Sequence, residues 1–177
     1  MGTVSGDEVV AELLATRGRA LTGYAYLLCG NADDAEDLVQ DALVKTFARR
    51  RAGLEIDSAE AYVRRTILTL YLDGWRRRGR WATRRHLAAG PTSVDGPEAG
   101  TGDRIDVVAA LRGLPPQQRA CVVLRFYEDL TVTEIAHHLA VSDGAVKRYL
   151  SLAVHRLEGL LGPIAPAATT IALVREA

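Results

Sequence analysis

The sequence has few of the residues that form metal, redox or catalytic centres. Its 177 residues include two cysteines and four histidines. Cys29 and Cys121 lie far apart in apolar surroundings, without the CxxC or Cys/His spacing of a zinc site, so we expect two buried, reduced thiols. No phosphate-binding glycine loop and no Ser/His/Asp set is present. The sequence therefore predicts a protein that is not an enzyme and that has no metal or other cofactor.

Long apolar runs are missing as well. The apolar stretches are much shorter than the ~20 residues needed to cross a bilayer, and the N-terminus has no basic flank followed by an apolar run. We therefore expect a soluble, cytoplasmic protein without membrane insertion. Aromatic residues make up only 6% of the chain, strand-like alternation is nearly absent, and apolar residues recur at helical spacing. These features predict an all-α fold.

Charge is balanced overall but segregated locally. The chain has 22 basic and 22 acidic residues, a balance that by itself argues against nucleic-acid binding. An arginine cluster nevertheless comprises Arg76, Arg77, Arg78, Arg80, Arg84 and Arg85. An acidic cluster earlier in the chain comprises Asp33, Asp34, Glu36, Asp37 and Asp41. This segregation predicts two different partners on two faces of the protein.

One interruption of the helical pattern predicts two small helical domains. In residues 1–81 we expect a first helix, or a helix pair, that stops at Gly30-Asn31, an acidic second helix, and a third helix with Ser58 as its N-cap. Residues 82–103 are rich in glycine and proline and predict a flexible linker. Residues 104–161 predict four helices, at 104–112, 116–127, 132–140 and 143–161. The tail, 162–177, has two prolines and a short apolar stretch.

Residues 131–157 have the pattern of a helix-turn-helix. Thr131 and Glu134 have the spacing of a capping box, Ile135 and Leu139 are expected to point inward, and Ser142 is expected to cap the next helix after a tight turn at 140–142. The apolar face of that helix comprises Val146, Leu150, Ala153 and Leu157. Its opposite face begins with Asp143, Gly144, Lys147, Arg148 and Ser151. In this motif the N-terminal end of the second helix enters the major groove of DNA; the alternative is an ordinary helical hairpin.

Two other segments have a distinctive composition. In residues 61–81 arginines alternate with Tyr62, Tyr71, Trp75 and Trp81, a mixture that suits a DNA strand whose bases unstack onto aromatic rings. The alternative is a solvated basic helix end with aromatic residues in the core. Residues 33–50 are acidic and polar on one face, which by itself predicts a solvated face and not a pair of catalytic carboxylates.

Three segments, in this order along the chain, resemble one protein family. They are DAEDLVQDALVKTF at 34–47, the helix 62–78 with Asp73 before its arginines, and LRGLPPQQRACVVLRFYEDLTVTEIAHHLAVSDGAVK at 111–147. They are similar to the two-domain extracytoplasmic-function (ECF) sigma factors of bacteria, in the actinobacterial branch. The resemblance extends over most of residues 20–160.

The resemblance implies a function and a set of contacts. Residues 1–81 would form a sigma-2 domain and residues 104–161 a sigma-4 helix-turn-helix domain, which together direct core RNA polymerase to promoter DNA. Contacts with the β and β′ subunits are expected from Asp37, Gln40, Asp41 and Lys45. Minus-10 contacts are expected from Glu55, Asp57, Ser58, Tyr62, Arg65, Thr69, Asp73, Arg76, Arg77 and Arg78. Minus-35 contacts are expected from Arg125, Ser142, Asp143, Gly144, Lys147, Arg148 and Ser151. An anti-sigma factor is common among such proteins, and no residue here identifies one.

The sequence departs from the family pattern at several positions. Thr69 stands where many members have asparagine, Ala145 replaces a threonine of the recognition helix, and Leu152 stands where a basic residue is common. With Tyr149, Leu152 adds apolar surface that could serve a partner protein, and the apolar tail 163–174 is a candidate docking or regulatory segment. Two alternatives stay open: a stand-alone regulator that binds an operator, and a degenerate homologue that only binds other proteins.

Overall fold

The structure, a computed structural model, describes residues 6–49, 55–86 and 103–161. These residues form seven α-helices and no strand: α1 (Gly6–Cys29), α2 (Ala32–Arg49), α3 (Ile56–His86), α4 (Asp103–Arg112), α5 (Pro116–Phe126), α6 (Val132–Leu139) and α7 (Asp143–Leu161). The all-α prediction is confirmed. The chain divides into two compact units, with the division after Pro97.

The first unit is a bundle in which α1, α2 and α3 each pack against the other two. Gly30, at φ 75°, ends α1, and its N–H donates to the Tyr26 carbonyl at 2.7 Å. Asn31 then begins α2, because its Oδ1 accepts the N–H groups of Asp33 at 2.8 Å and Asp34 at 3.2 Å. The core contains the fully buried side chains Leu13, Leu21, Tyr24, Leu28, Val63, Ile67 and Leu68. The first helix, Gly6–Cys29, is one continuous helix and not the helix pair that the sequence also allowed.

Two sequence predictions about α3 are wrong. The helix begins at Ile56, so Ser58 lies in its first turn and is not the N-cap. The helix also continues to His86, past residue 81, where the linker was expected to begin. Because arginine has a good helix propensity, the basic segment 76–85 extends the helix beyond its apolar pattern. The rest of the predicted linker up to 102 and the tail 162–177 lie outside the described residues.

The second unit is built around α7, which packs against α4, α5 and α6. Its core includes Cys121, Ile135, Val146 and Ala153, each with no solvent exposure. Arg119 is also buried, at 3% exposure, and its Nη2 donates to the carbonyls of Arg112 at 2.6 Å and Leu114 at 3.4 Å. The guanidinium thereby fixes the turn between α4 and α5 from inside.

Candidate nucleic-acid interface

The first helix of the predicted helix-turn-helix begins with a complete capping box. The Thr131 Oγ1 accepts the Glu134 N–H at 3.3 Å, and Glu134 Oε2 accepts the Thr131 N–H at 2.8 Å. A further bond joins the Thr131 hydroxyl to the same carboxylate oxygen at 2.7 Å. These hydrogen bonds from Thr131 lower the pKa of Glu134, because they stabilise the charged carboxylate. The capping box predicted from the sequence is confirmed.

The turn between α6 and α7 is closed by backbone and side-chain bonds. Ala140 adopts the left-handed conformation at φ 53° and ψ 48°, and the Val141 N–H donates to the Ala136 carbonyl at 3.1 Å. Ser142 Oγ accepts the Ala145 N–H at 3.2 Å, which confirms Ser142 as the cap of α7. The Thr133 hydroxyl donates to Asp143 Oδ2 at 2.9 Å. Asp143 therefore joins the start of α7 to α6.

The second helix of the motif separates apolar and polar residues as predicted. Val146, Leu150, Ala153 and Leu157 are its buried residues. The exposed residues include Ser142, Asp143, Gly144, Lys147, Arg148 and Ser151. Leu152 is 39% exposed, whereas Tyr149 is half-buried. The exposed apolar surface expected from Tyr149 and Leu152 is therefore contributed mainly by Leu152.

Arg125 lies beside the motif and supports it. The side chain is half-buried, and its Nη1 donates to the Leu130 carbonyl at 2.9 Å across the loop that precedes α6. In that loop Asp129 adopts a positive φ of 52°, a conformation that aspartate tolerates better than most residues. Arg125 therefore holds the loop that precedes α6.

Six of the predicted minus-10 residues of α3 form a single stripe. Ser58, Tyr62, Arg65 and Thr69 recur at intervals of three or four residues, and all four are exposed. Asp73 and Arg76 continue the same spacing. Opposite this stripe Val63, Ile67 and Tyr71 are buried. The fold thus presents these polar side chains to solvent along several turns of one helix.

An ion network joins the start of α3 to α1. Arg17 Nε lies 3.1 Å from Glu60 Oε2, and Arg64 Nη2 lies 2.8 Å from Glu60 Oε1. The Arg64 guanidinium also lies over the ring of Tyr24, 5.4 Å from its centroid. Asp57, a predicted DNA residue, lies 3.8 Å from Arg17 and stays highly exposed. Sequence reasoning missed this network, although the i,i+4 spacing of Glu60 and Arg64 indicated part of it.

The arginines near the end of α3 have different partners. Arg76 Nη1 lies 3.1 Å from Asp73 Oδ1, and Arg77 Nε donates to the Asp73 carbonyl at 3.4 Å. The Arg78 guanidinium lies over the indole of Trp75, 4.9 Å from the ring centroid. Arginines 80, 84 and 85 belong to the part of the helix whose side chains are not described. The aromatic and basic residues expected to act together are therefore in contact at this position.

The outer face of α2 is polar and carries one large apolar side chain. Asp37, Gln40, Asp41 and Lys45 are all exposed. Val44 lies among them and is 67% exposed. On the inner face Ala35, Val39 and Ala42 are buried, and the hydroxyl of the buried Thr46 lies 3.2 Å from that of Thr66 on α3. The acidic face predicted for this helix is thus presented to solvent.

Comparison with known proteins agrees with this arrangement. Residues 13–81 match the family Sigma-70 region 2, and residues 104–157 match Sigma-70, region 4. The RNA polymerase sigma-E factor of Streptomyces avermitilis is 36% identical over 152 residues, covering 82% of this chain and 81% of that protein. The chain belongs to the sigma-70 family of RNA polymerase sigma factors.

Further relatives agree with the expected group within the sigma-70 family. The ECF RNA polymerase sigma factor SigM of Mycobacterium tuberculosis is 32% identical over 162 residues, covering 90% of this chain and 81% of that protein. The sigma factor RpoE of Bartonella quintana, solved in complex with the anti-sigma factor NepR, has a TM-score of 0.61 at 26% identity and covers 86% of this chain and 96% of that chain. The ECF and actinobacterial assignments made from the sequence are confirmed.

The two cysteines differ. Burial raises the pKa of Cys121 in the region 4 domain to about 12, because the thiolate would lose its solvation. Cys29 in the region 2 domain is only half-buried, and its Sγ lies 3.0 Å from the Ala25 carbonyl. The expectation of two buried thiols is therefore wrong for Cys29, which lies where α1 ends.

In the part of the chain that the structure describes, no group of three or more His, Cys, Asp or Glu residues is arranged to hold a metal ion. Within the same residues, no helix is both long enough and apolar enough to span a membrane. The structure also shows two contacts that no sequence motif indicated: the ion pair of Arg17 with Glu60 in the first unit, and the hydrogen bonds of buried Arg119 in the second.

Proposed function

We propose that this sigma factor binds core RNA polymerase and directs promoter-specific initiation by recognising minus-10 and minus-35 elements. The observation that carries this proposal is the match of both sigma-70 regions, in family order, to the two helical units. The family is not catalytic, so the role of this chain is to bind and position other molecules. We place it in the cytoplasm, where core polymerase acts. As domain bounds we propose 1–81, which ends with the region 2 match and before the helical extension of α3 to His86, and 104–161.

The α2 surface is the proposed polymerase-docking face. Asp37, Gln40, Asp41 and Lys45 are exposed while the opposite side of the helix is buried in the bundle. Val44, exposed at their centre, gives this face an apolar contact, and a desolvated apolar contact surrounded by polar groups is typical of a protein interface. These residues would contact the β and β′ subunits.

The α3 stripe is the proposed minus-10 surface. Ser58, Tyr62, Arg65 and Thr69 share one exposed face, which Asp73 and Arg76 continue, and Arg77 and Arg78 follow on other sides of the helix. Tyr62 is 39% exposed, so its ring is available to stack on an unpaired base. Glu55 and Asp57 stand at the start of the helix, where a flipped base would lie. The arginines would hold the DNA backbone beside the melted bases.

The N-terminal half of α7 is the proposed minus-35 surface. Gly144, Lys147, Arg148 and Ser151 are exposed at the end of the helix that enters the major groove in this motif. Ser142 and Asp143 are already hydrogen-bonded within the motif, so we assign them mainly to holding the recognition helix. Arg125 would reach a phosphate from the side.

An anti-sigma factor is a further proposed partner. The related sigma factor of Bartonella quintana was solved with one. Several large apolar side chains of the second unit are exposed, among them Phe126, Tyr127 and Leu152. A protein partner that bound here would remove these apolar side chains from water, so this surface suits such a partner. The tail 163–174 stays a candidate docking segment.

Transcription with purified components tests the proposed function. Core polymerase with and without the chain is incubated with fragmented genomic DNA of the source organism, and transcript 5′ ends are mapped by sequencing. We expect new start sites that depend on the chain and share two sequence elements upstream. If the same starts appear without the chain, it is not a sigma factor.

Charge variants separate binding to core polymerase from promoter recognition. Asp41→Lys on the docking face should weaken binding to core polymerase at least tenfold, because it reverses a charge in the centre of that face. Glu12→Lys on α1, also exposed and outside the docking face, is the matched control and should bind core normally. Lys147→Glu should leave core binding intact and reduce transcription from promoters that depend on their minus-35 element.

A further inference from the structure

Three consecutive arginines in the C-terminal part of α3 make different contacts. Arg76, Arg77 and Arg78 are consecutive and exposed, yet each has a different contact. Arg76 is paired with the Asp73 carboxylate at 3.1 Å. Arg77 is bonded to a main-chain carbonyl through Nε. Arg78 is stacked on an aromatic ring.

These contacts leave different net charges on the surface. The carboxylate of Asp73 compensates the charge of Arg76 locally, so a DNA phosphate gains little from approaching that pair. Within the described residues, no ion pair of Arg78 is found. Stacking on Trp75 does not neutralise the guanidinium, and its N–H groups lie in the ring plane of the guanidinium, where they remain able to donate.

The position of Arg78 is also defined. Residues 75 and 78 are neighbours on the side of α3 that continues from Tyr71, away from the stripe that ends at Arg76, and the guanidinium lies 4.9 Å from the indole centroid. The same guanidinium lies over Gly74: both of its Nη atoms are 3.8 Å from the place that a Cβ on Gly74 would take. The indole thus holds the long, flexible Arg78 side chain against the helix, over the space that the missing side chain of Gly74 leaves open.

We propose that Trp75 is a positioning residue that holds the Arg78 guanidinium as a phosphate-binding cation of this arginine run. Its ligand is a backbone phosphate of promoter DNA next to the minus-10 element. The inference rests on the proposed function and deepens it. Asp73 limits the contribution of Arg76, and Trp75 fixes the direction of Arg78, so two neighbouring arginines contribute unequally to DNA binding.

The salt dependence of promoter binding tests this inference. Each phosphate neutralised by a basic side chain contributes about 0.9 to the slope of log affinity against log salt. Holoenzyme made from core polymerase and the full chain is titrated onto a fluorescent fragment of a mapped promoter, over about 50 to 200 mM salt. We expect Arg78→Gln to lower the slope by about 0.9, which is roughly a 3.5-fold difference over that range, and Arg76→Gln to lower it by less than half as much.

Variants of Trp75 test the positioning role. Trp75→Leu keeps every charge but removes the aromatic face, and we expect severalfold weaker binding at low salt. Trp75→Phe keeps a ring and should restore most of the affinity. Affinity for core polymerase and the thermal midpoint are measured in parallel, since a purely structural role would change these and not the salt slope.

The outcomes distinguish this inference from the proposed function. Equal slope changes for Arg76→Gln and Arg78→Gln would overturn the division of roles. Normal binding by Trp75→Leu would overturn the positioning role. Absence of promoter binding by the wild-type holoenzyme would instead overturn the proposed function, whatever the variants do.

Discussion

The two domains present their candidate DNA contacts in different ways. In the region 4 domain the candidate contacts lie at the start of α7, which is fixed by bonds between residues close in sequence: the Ser142–Ala145 capping bond at 3.2 Å and the Thr133–Asp143 bond at 2.9 Å. In the region 2 domain the contacts lie along α3, which is fixed by distant residues such as Arg17 on α1. The recognition helix is thus determined locally, whereas the position of α3 depends on the bundle.

The largest expected effect comes from matched cavities in the two cores. Ile67 and Ile135 both have no solvent exposure, and truncation of such a side chain costs about 2–5 kcal/mol. We expect Ile67→Ala to lower hydrogen-exchange protection in α1–α3 only, and Ile135→Ala in α5–α7 only, as measured by mass spectrometry. Loss of protection in both units from either variant would show that they unfold together and would break the comparison.

Next in size is the ion network of the first unit. The side chain of Glu60 is only 17% exposed, and Glu60→Gln leaves Arg64, at 18% exposure, without its charged partner. We expect a loss of about 1–3 kcal/mol in the free energy of unfolding, measured by urea titration. Asp57→Asn is the control: its side chain is 92% exposed, and the change should be at most about 0.5 kcal/mol. Similar losses for both variants would argue against the network.

The capping box predicts a smaller effect in the second unit, with a pH dependence. Thr131→Ala should destabilise the helix-turn-helix by about 1 kcal/mol. The pKa of Glu134 is lowered by its bonds from Thr131, so its carboxylate stabilises the folded state above its ordinary pKa of about 4.3, and this contribution is lost as the pH falls through the lowered value.

A matched variant isolates this pH dependence. Glu134→Gln retains a capping side chain but cannot titrate, so its thermal midpoint should fall less between neutral pH and about pH 3.5 than that of the wild type. Parallel acid curves for the two proteins would show that the carboxylate does not contribute in this way.

The smallest effects come from two opposite substitutions. Ala140 has a left-handed backbone at φ 53°, so Ala140→Gly should stabilise the second unit by about 0.5–1 kcal/mol after the entropy of the added glycine is subtracted. Gly74 lies inside α3, and a Cβ there would make only ordinary contacts with Arg78, so Gly74→Ala should stabilise the first unit by about 1 kcal/mol. Calorimetry of the full chain measures both, and a lower midpoint in either variant would contradict the prediction.

Sequence reasoning was most accurate where the relevant residues are close in the chain. It identified the capping box, Ser142 as a cap and the buried face of α7, because these depend on spacings of three or four residues. It failed at the start of α3, where Ser58 has the residue type of a cap but follows two helical residues. It also ended α3 too early, because the apolar pattern stops before the helix does. Boundaries set by helix propensity alone leave little trace in an apolar pattern.

The sequence by itself determined the helical class, the helix-turn-helix and the family, because periodicity, caps and motif order are local properties of the chain. Only the tertiary structure decided which charges stay available for a partner. Arg119 is buried against the turn between α4 and α5, and Arg17 reaches Glu60 across the bundle. The physical reason is that the charge a side chain presents depends on what lies next to it after packing, and packing brings together residues that the sequence separates.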